Sequence, residues 1–160
     1  MCLGAKPAKI FVNYRRSNAR EPAFLIAARL MDRYGAGSAF IDENLSGGEV
    51  FPTVLQRRHA QCCVLLIVMG PGWLEATDND GSRHLDSPTD WVREEIRRAL
   101  KRGIPVLPVL INGVTVPSRA ALPGDIADLV DHHGLPVRTD DHAFKGHMLL
   151  LTRDIDRIVP

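Results

Sequence analysis

Two unbroken apolar runs, residues 63–69 (Cys-Val-Leu-Leu-Ile-Val-Met) and 104–111 (Ile-Pro-Val-Leu-Pro-Val-Leu-Ile), limit what this chain can fold into more than any other feature. A strand with one wet face alternates apolar and polar residues, whereas a strand covered on both faces is apolar throughout. Both runs therefore read as inner strands of a parallel sheet with helices on either side. Shorter strand patterns at 9–13 and 39–42 and an edge strand at 134–137 bring the number to five. Helical patterns separate them at 22–34, 50–61, 87–103 and, briefly, 124–131, and a closing amphipathic helix runs over 143–158. Strands alternating with helices define an α/β fold, and at 160 residues a flavodoxin-like five-stranded parallel sheet of order 2-1-3-4-5 is the natural arrangement.

The expected organisation is a flexible leader over 1–8 and a single domain over 9–160. Hydrophobic content of 45% and charged content of 24% are ordinary for a globular protein. A formal charge of +1 gives no bulk field for nucleic acid or an anionic membrane. The apolar run at 62–70 is too short to cross a bilayer, and the opening residues lack the pattern of a signal peptide. Of the three cysteines, Cys62 and Cys63 are adjacent at the start of an apolar strand. They read as packing, not as a disulfide frame or metal site, and a reducing cytoplasm is the expected setting.

The helix at 87–103 has both ends marked. Ser87 reads as N-cap, Pro88 as the first helical residue and Asp90 as the capping-box carboxylate. Gly103 reads as the left-handed stop after Lys101 and Arg102, which suit the negative end of the dipole. On the helical wheel Trp91, Val92, Ile96, Ala99 and Leu100 share a sector that includes Glu95 and excludes Glu94. A carboxylate on an apolar face is either a rim position reaching water or an arginine, or a group held beside an aromatic wall at a cleft.

Ligands of open parallel sheets sit beyond the C-terminal strand ends, where the strand order switches. That edge carries Tyr14, Arg15 and Arg16 after the first strand and residues 42–49, with the Gly47-Gly48 pair, after the second. Trp91 and Glu95 arrive from the loop after the third. An arginine pair, a glycine loop and a carboxylate beside an indole thus converge on one edge. The chain lacks Gly-x-Gly-x-x-Gly, a phosphate loop ending in Gly-Lys-Ser/Thr, and a Gly-x-Ser-x-Gly elbow. A phospho-receiver needs an acidic cluster where this chain has Tyr-Arg-Arg. The six histidines are scattered, so no metal site is expected.

Phe11-Val12-Asn13-Tyr14-Arg15-Arg16 resembles the Phe-Ile-Ser-Tyr-Arg-Arg opening of the Toll/interleukin-1 receptor (TIR) domain family. Phe40-Ile41-Asp42 followed by Leu45-Ser46-Gly47-Gly48 resembles its second strand and BB loop. The segment 90–100 resembles the αC helix of the NAD-cleaving branch, and 105–110 with Leu122-Pro123 resembles the strand and loop beyond that helix. The likeness spans roughly 9–137, in order, and its wording is closest to bacterial TIR domains.

The resemblance implies hydrolysis of NAD at the nicotinamide–ribose bond, giving nicotinamide and linear or cyclic ADP-ribose. Glu95 matches the family's catalytic glutamate, and Tyr14, Arg15, Arg16, Asp42, Leu45, Gly48 and Trp91 match substrate-side positions. NAD is then the substrate, no cofactor or metal is expected, and other TIR domains are the partners, in a bacterial immune, cell-death or signalling role. Two departures bear on nucleobase contacts and product choice. Ser46 stands where relatives often carry glutamate, and Val114 and Val116 stand where some place a tryptophan. The alternatives are a non-catalytic adaptor assembling through residues 43–49, and nucleoside deoxyribosyl transfer on a related fold.

Overall fold

Side-chain parity organises the structure. In this computed structural model, which describes residues 9–41, 61–139 and 142–159, five parallel strands run in the order β2-β1-β3-β4-β5. They are β1 (Ile10–Tyr14), β2 (Ala39–Ile41), β3 (Val64–Met69), β4 (Val106–Ile111) and β5 (Leu135–Val137). The expected fold and strand order are therefore those observed. The expectations for residues 1–8, the helix at 50–61 up to Gln61, and Asp42, Leu45 and Gly48 lie outside the described residues.

Every residue of β3 is buried, as an inner strand requires. Its even-numbered members Val64, Leu66 and Val68 join one core with Ile10, Val12, Val109 and Ile111. Against that face pack α1 (Arg16–Tyr34), through Ala23, Ile26 and Leu30, and α3 (Ala143–Ile158), through Met148, Leu151 and Ile155. The odd-numbered Leu65, Ile67 and Met69 join a second core with Phe11, Trp73 and Leu85. That side is covered by α2 (Trp91–Lys101), through Val92, Ile96 and Ala99. Cys62 is free and buried in this second core, its thiol pushed up to about 11 by burial. Cys63 is disulfide-bonded, so the packing expectation applies to Cys62 alone.

Two helix starts differ from expectation. Helix α1 begins at Arg16, six residues before Pro22, which lies inside it. Pro22 has no N–H to offer the carbonyl of Asn18 four residues back. That carbonyl lies against Gly70 at the end of β3, where an added Cβ would collide with its oxygen. Helix α2 begins at Trp91 with Asp90 as its N-cap, not Ser87. The Ser87 hydroxyl instead bonds locally to Thr89, in the turn that leads to the cap. The stop is as expected: Gly103 has φ +68° and its N–H reaches the carbonyl of Leu100.

Candidate active site

At the C-terminal end of β1, where the order switches toward β3, a cavity of about 340 Å³ opens between the start of α1 and the start of α2. Glu95 lines it and is only 3% exposed. One turn earlier on the same helix, Trp91 forms the adjoining wall, half-buried. At this burial Glu95 does not reach past the core edge to water; it lines the cleft beside Trp91. Glu94 points the other way, receiving Arg97 and Arg98 at 2.6 to 2.9 Å. The hydrogen bond from Arg97, reinforced by Arg98, holds the Glu94 carboxyl down at about 2.

Glu95 is anchored from across the sheet. Parity on β1 turns Phe11 and Asn13 toward the α2 side, so the Asn13 amide enters the core beneath the helix. Its Nδ2 donates to Glu95 Oε2 at 2.5 Å and to the carbonyl of Val92 at 3.4 Å.

The entrance is held by a second cross-link. Arg15 Nη1 and Nη2 each donate at 2.9 Å to the two oxygens of Asp90, and the pair is buried, with side-chain exposures of 8% and 6%. Asp90 Oδ2 also accepts the backbone N–H of Arg93 at 3.1 Å, so one carboxylate caps α2 and pairs with the β1 loop. Arg93 donates to the carbonyl of Leu85 at 3.1 Å and to Asp125, steadying the short 3-10 helix His84–Asp86. That helix brings His84 to the cavity.

Of the sequence candidates, Glu95, Trp91, Tyr14, Arg15 and Arg16 all line this one cavity. Arg15 is engaged by Asp90, while Arg16 is exposed at the first turn of α1, a helix start with no side-chain cap and no acidic residue. Such a start attracts anions. Sequence reasoning missed His84, Asn13 and the pairing role of Asp90. The parity of β1 could have flagged Asn13, a polar residue on a core-facing position. No periodic signal marks His84, which sits in an irregular segment. Among the described residues no group of three His, Cys, Asp or Glu side chains could hold a metal ion, and no helix is long and apolar enough to cross a membrane.

Five parallel strands in this order, with a buried carboxylate and an indole lining a cavity at the switch point, define an α/β domain with a candidate ligand site at that edge. Comparison narrows the class. The chain is 31% identical over 132 residues to the NAD(+) hydrolase sarm1 of Drosophila melanogaster, covering 82% of this chain and 9% of that protein. It is 24% identical over 159 residues to the NAD(+) hydrolase tir-1 of Caenorhabditis elegans, covering 98% of this chain and 16% of that protein. The chain thus spans less than a fifth of the length of either relative. The TIR domains of the activated Roq1 resistosome, which directly recognises the pathogen effector XopQ, share the fold with a TM-score of 0.63 at 13% identity. That match covers 92% of this chain and 99% of the other. No family model matches. The chain belongs to the TIR-domain family.

Proposed function

We propose that this TIR domain hydrolyses NAD at the bond between nicotinamide and ribose. The observation that carries the reading is Glu95, a carboxylate buried to 3% exposure, tied to Asn13 and opening on a cavity walled by Trp91. When neutral nicotinamide leaves, it takes the bonding pair and positive charge develops on the ribose. A carboxylate about 4 Å from that charge contributes roughly 4 kcal/mol at an effective dielectric near 20. Such a term corresponds to about a thousandfold in rate. The site needs a fixed charge more than a strong acid, because the leaving group is neutral. Glu95 also accepts from the ribose hydroxyls, Trp91 supplies a flat wall, and Arg16 at the open start of α1 meets the diphosphate. Water completes the reaction, so NAD and water give nicotinamide, ADP-ribose and one proton; attack by the substrate's own adenine gives the cyclic product instead.

The sarm1 and tir-1 relatives, named NAD(+) hydrolases, support the activity. We couple it to self-association through residues 43–49, in a defence or signalling role. The assembly named for the Roq1 TIR domains supports that part. The test is chromatography of NAD incubated with concentrated protein, with deoxynucleosides as a parallel substrate. Nicotinamide release that rises more than linearly with protein concentration supports the reading. Deoxyribosyl transfer without NAD cleavage, or no turnover of either, overturns it.

A further inference from the structure

Position 13 is built for an apolar side chain. On β1 it faces the same side as Phe11, which is 2% exposed, and it is itself only 1% exposed. The chain places an amide there and leaves part of it unsatisfied: Asn13 Oδ1 is buried with no hydrogen-bond partner among the described residues. An orphaned buried acceptor costs stability, and a leucine of similar size would carry no such cost. The compensation lies at the other end of the amide. Its Nδ2 donates to Glu95 Oε2 and to the carbonyl of Val92, three residues earlier on the same helix. One donor group therefore fixes both the carboxylate and the turn of α2 that carries it.

We infer that Asn13 is a positioning residue for Glu95, holding its carboxylate in the orientation that serves the cleaved bond. The inference rests on the NAD-cleaving reading for its kinetic consequence, and on geometry alone for the hydrogen bond. Asn13 is absent from the lining of the cavity, so it acts through Glu95 and not by touching substrate. A glutamate has three side-chain torsions, and without the donor the carboxylate samples orientations that miss the ribose. Substrate contacts made by the rest of the cavity survive. The loss should fall on kcat and leave KM largely intact.

The experiment compares wild type with Asn13→Leu and Asn13→Ala, which remove the donor, and Asn13→Ser, which keeps a hydroxyl donor. Asn13→Leu should lower kcat at least tenfold and change KM less than threefold, with the fold retained. Asn13→Ser should recover part of the loss. Should Asn13→Leu fail to fold, Asn13→Ala takes its place with the same kinetic expectation. In protein carrying 13C at glutamate carboxyls, the Glu95 resonance, assigned by its absence in Glu95→Gln, should move when the donor is removed. A kcat within twofold of wild type in the donor-free variants overturns the inference, as does an Asn13→Ser no better than Asn13→Leu. An unmoved Glu95 resonance overturns it too. Because that resonance needs no turnover, it decides the matter even if wild type leaves NAD intact, an outcome that would sink the proposed function separately.

Discussion

Arg15 and Asp90 form a two-point ion pair, 2.9 Å at each contact, that ties the end of β1 to the N-cap of α2. The site depends on this link, because Tyr14 and Arg16 lie to one side of it and Trp91 and Glu95 to the other. Breaking a buried pair by removing one partner strands the other charge, at a cost of about 3–5 kcal/mol. Arg15→Ala should therefore destabilise the domain by roughly 3 kcal/mol in urea unfolding. Asp90→Asn should be less damaging than Asp90→Ala by about 1 kcal/mol, since asparagine still caps the helix. A cost below about 1 kcal/mol for Arg15→Ala would show that the pair behaves as a solvated one.

The two arginines differ in burial. Arg16 is exposed and Arg15 is not. Arg16→Ala should raise KM for NAD several-fold while stability changes by less than about 0.5 kcal/mol, the usual range for surface substitutions. Kinetics and unfolding measured on the same preparations check this. Parallel loss of stability and activity in Arg16→Ala would make it a structural residue like its neighbour.

His84 faces the cavity from a segment held by Arg93. The proposed hydrolysis releases a proton, and an imidazole lining the cavity is a candidate to receive it. His84→Ala should lower kcat by about a hundredfold, the lower end of the range for a lost proton acceptor. The thermal midpoint should move little, because the side chain is only partly buried. Unchanged kcat in His84→Ala would leave it a wall residue only.

Glu94 gives the acid limb of stability. Its carboxyl lies at about 2 in the folded protein against 4.5 for the unperturbed group, through Arg97 first and then Arg98. The group therefore binds fewer protons folded than unfolded, and its contribution is complete above pH 4.5 and lost as pH falls toward 2. Screening by water reduces it to about 1–2 kcal/mol. Urea midpoints of wild type and Glu94→Gln should differ at pH 6 and converge near pH 2. A difference that persists at pH 2 contradicts the assignment.

Much of the fold was legible because periodicity encodes it. The all-apolar runs marked the inner strands, and the angular positions on the helical wheel separated Glu95 from Glu94. Helix α3 falls over the expected residues. What sequence alone missed depends on partners far along the chain. Ser87 and Asp90 are both good caps, and Asp90 does the capping while paired with Arg15, 75 residues away. Pro22 looked like a helix start, yet the carbonyl it leaves unpaired is accommodated against Gly70. Asn13 finds Glu95 across 82 residues, a distance over which no local pattern carries information.

The buried carboxylate of Glu95 on α2, and not its half-buried neighbour Glu94, is the group proposed to promote loss of nicotinamide. The most direct measurement is nicotinamide release from NAD by Glu95→Gln and Glu94→Gln at matched protein concentration. Glutamine keeps the size of each side chain and an acceptor for Asn13 while removing the charge. Glu95→Gln should lose at least about a hundredfold in kcat, the scale of one lost electrostatic group at a reacting centre, with its fold retained. Glu94→Gln should stay within about threefold of wild type. Equal loss in both variants, or full activity in Glu95→Gln, would contradict the account.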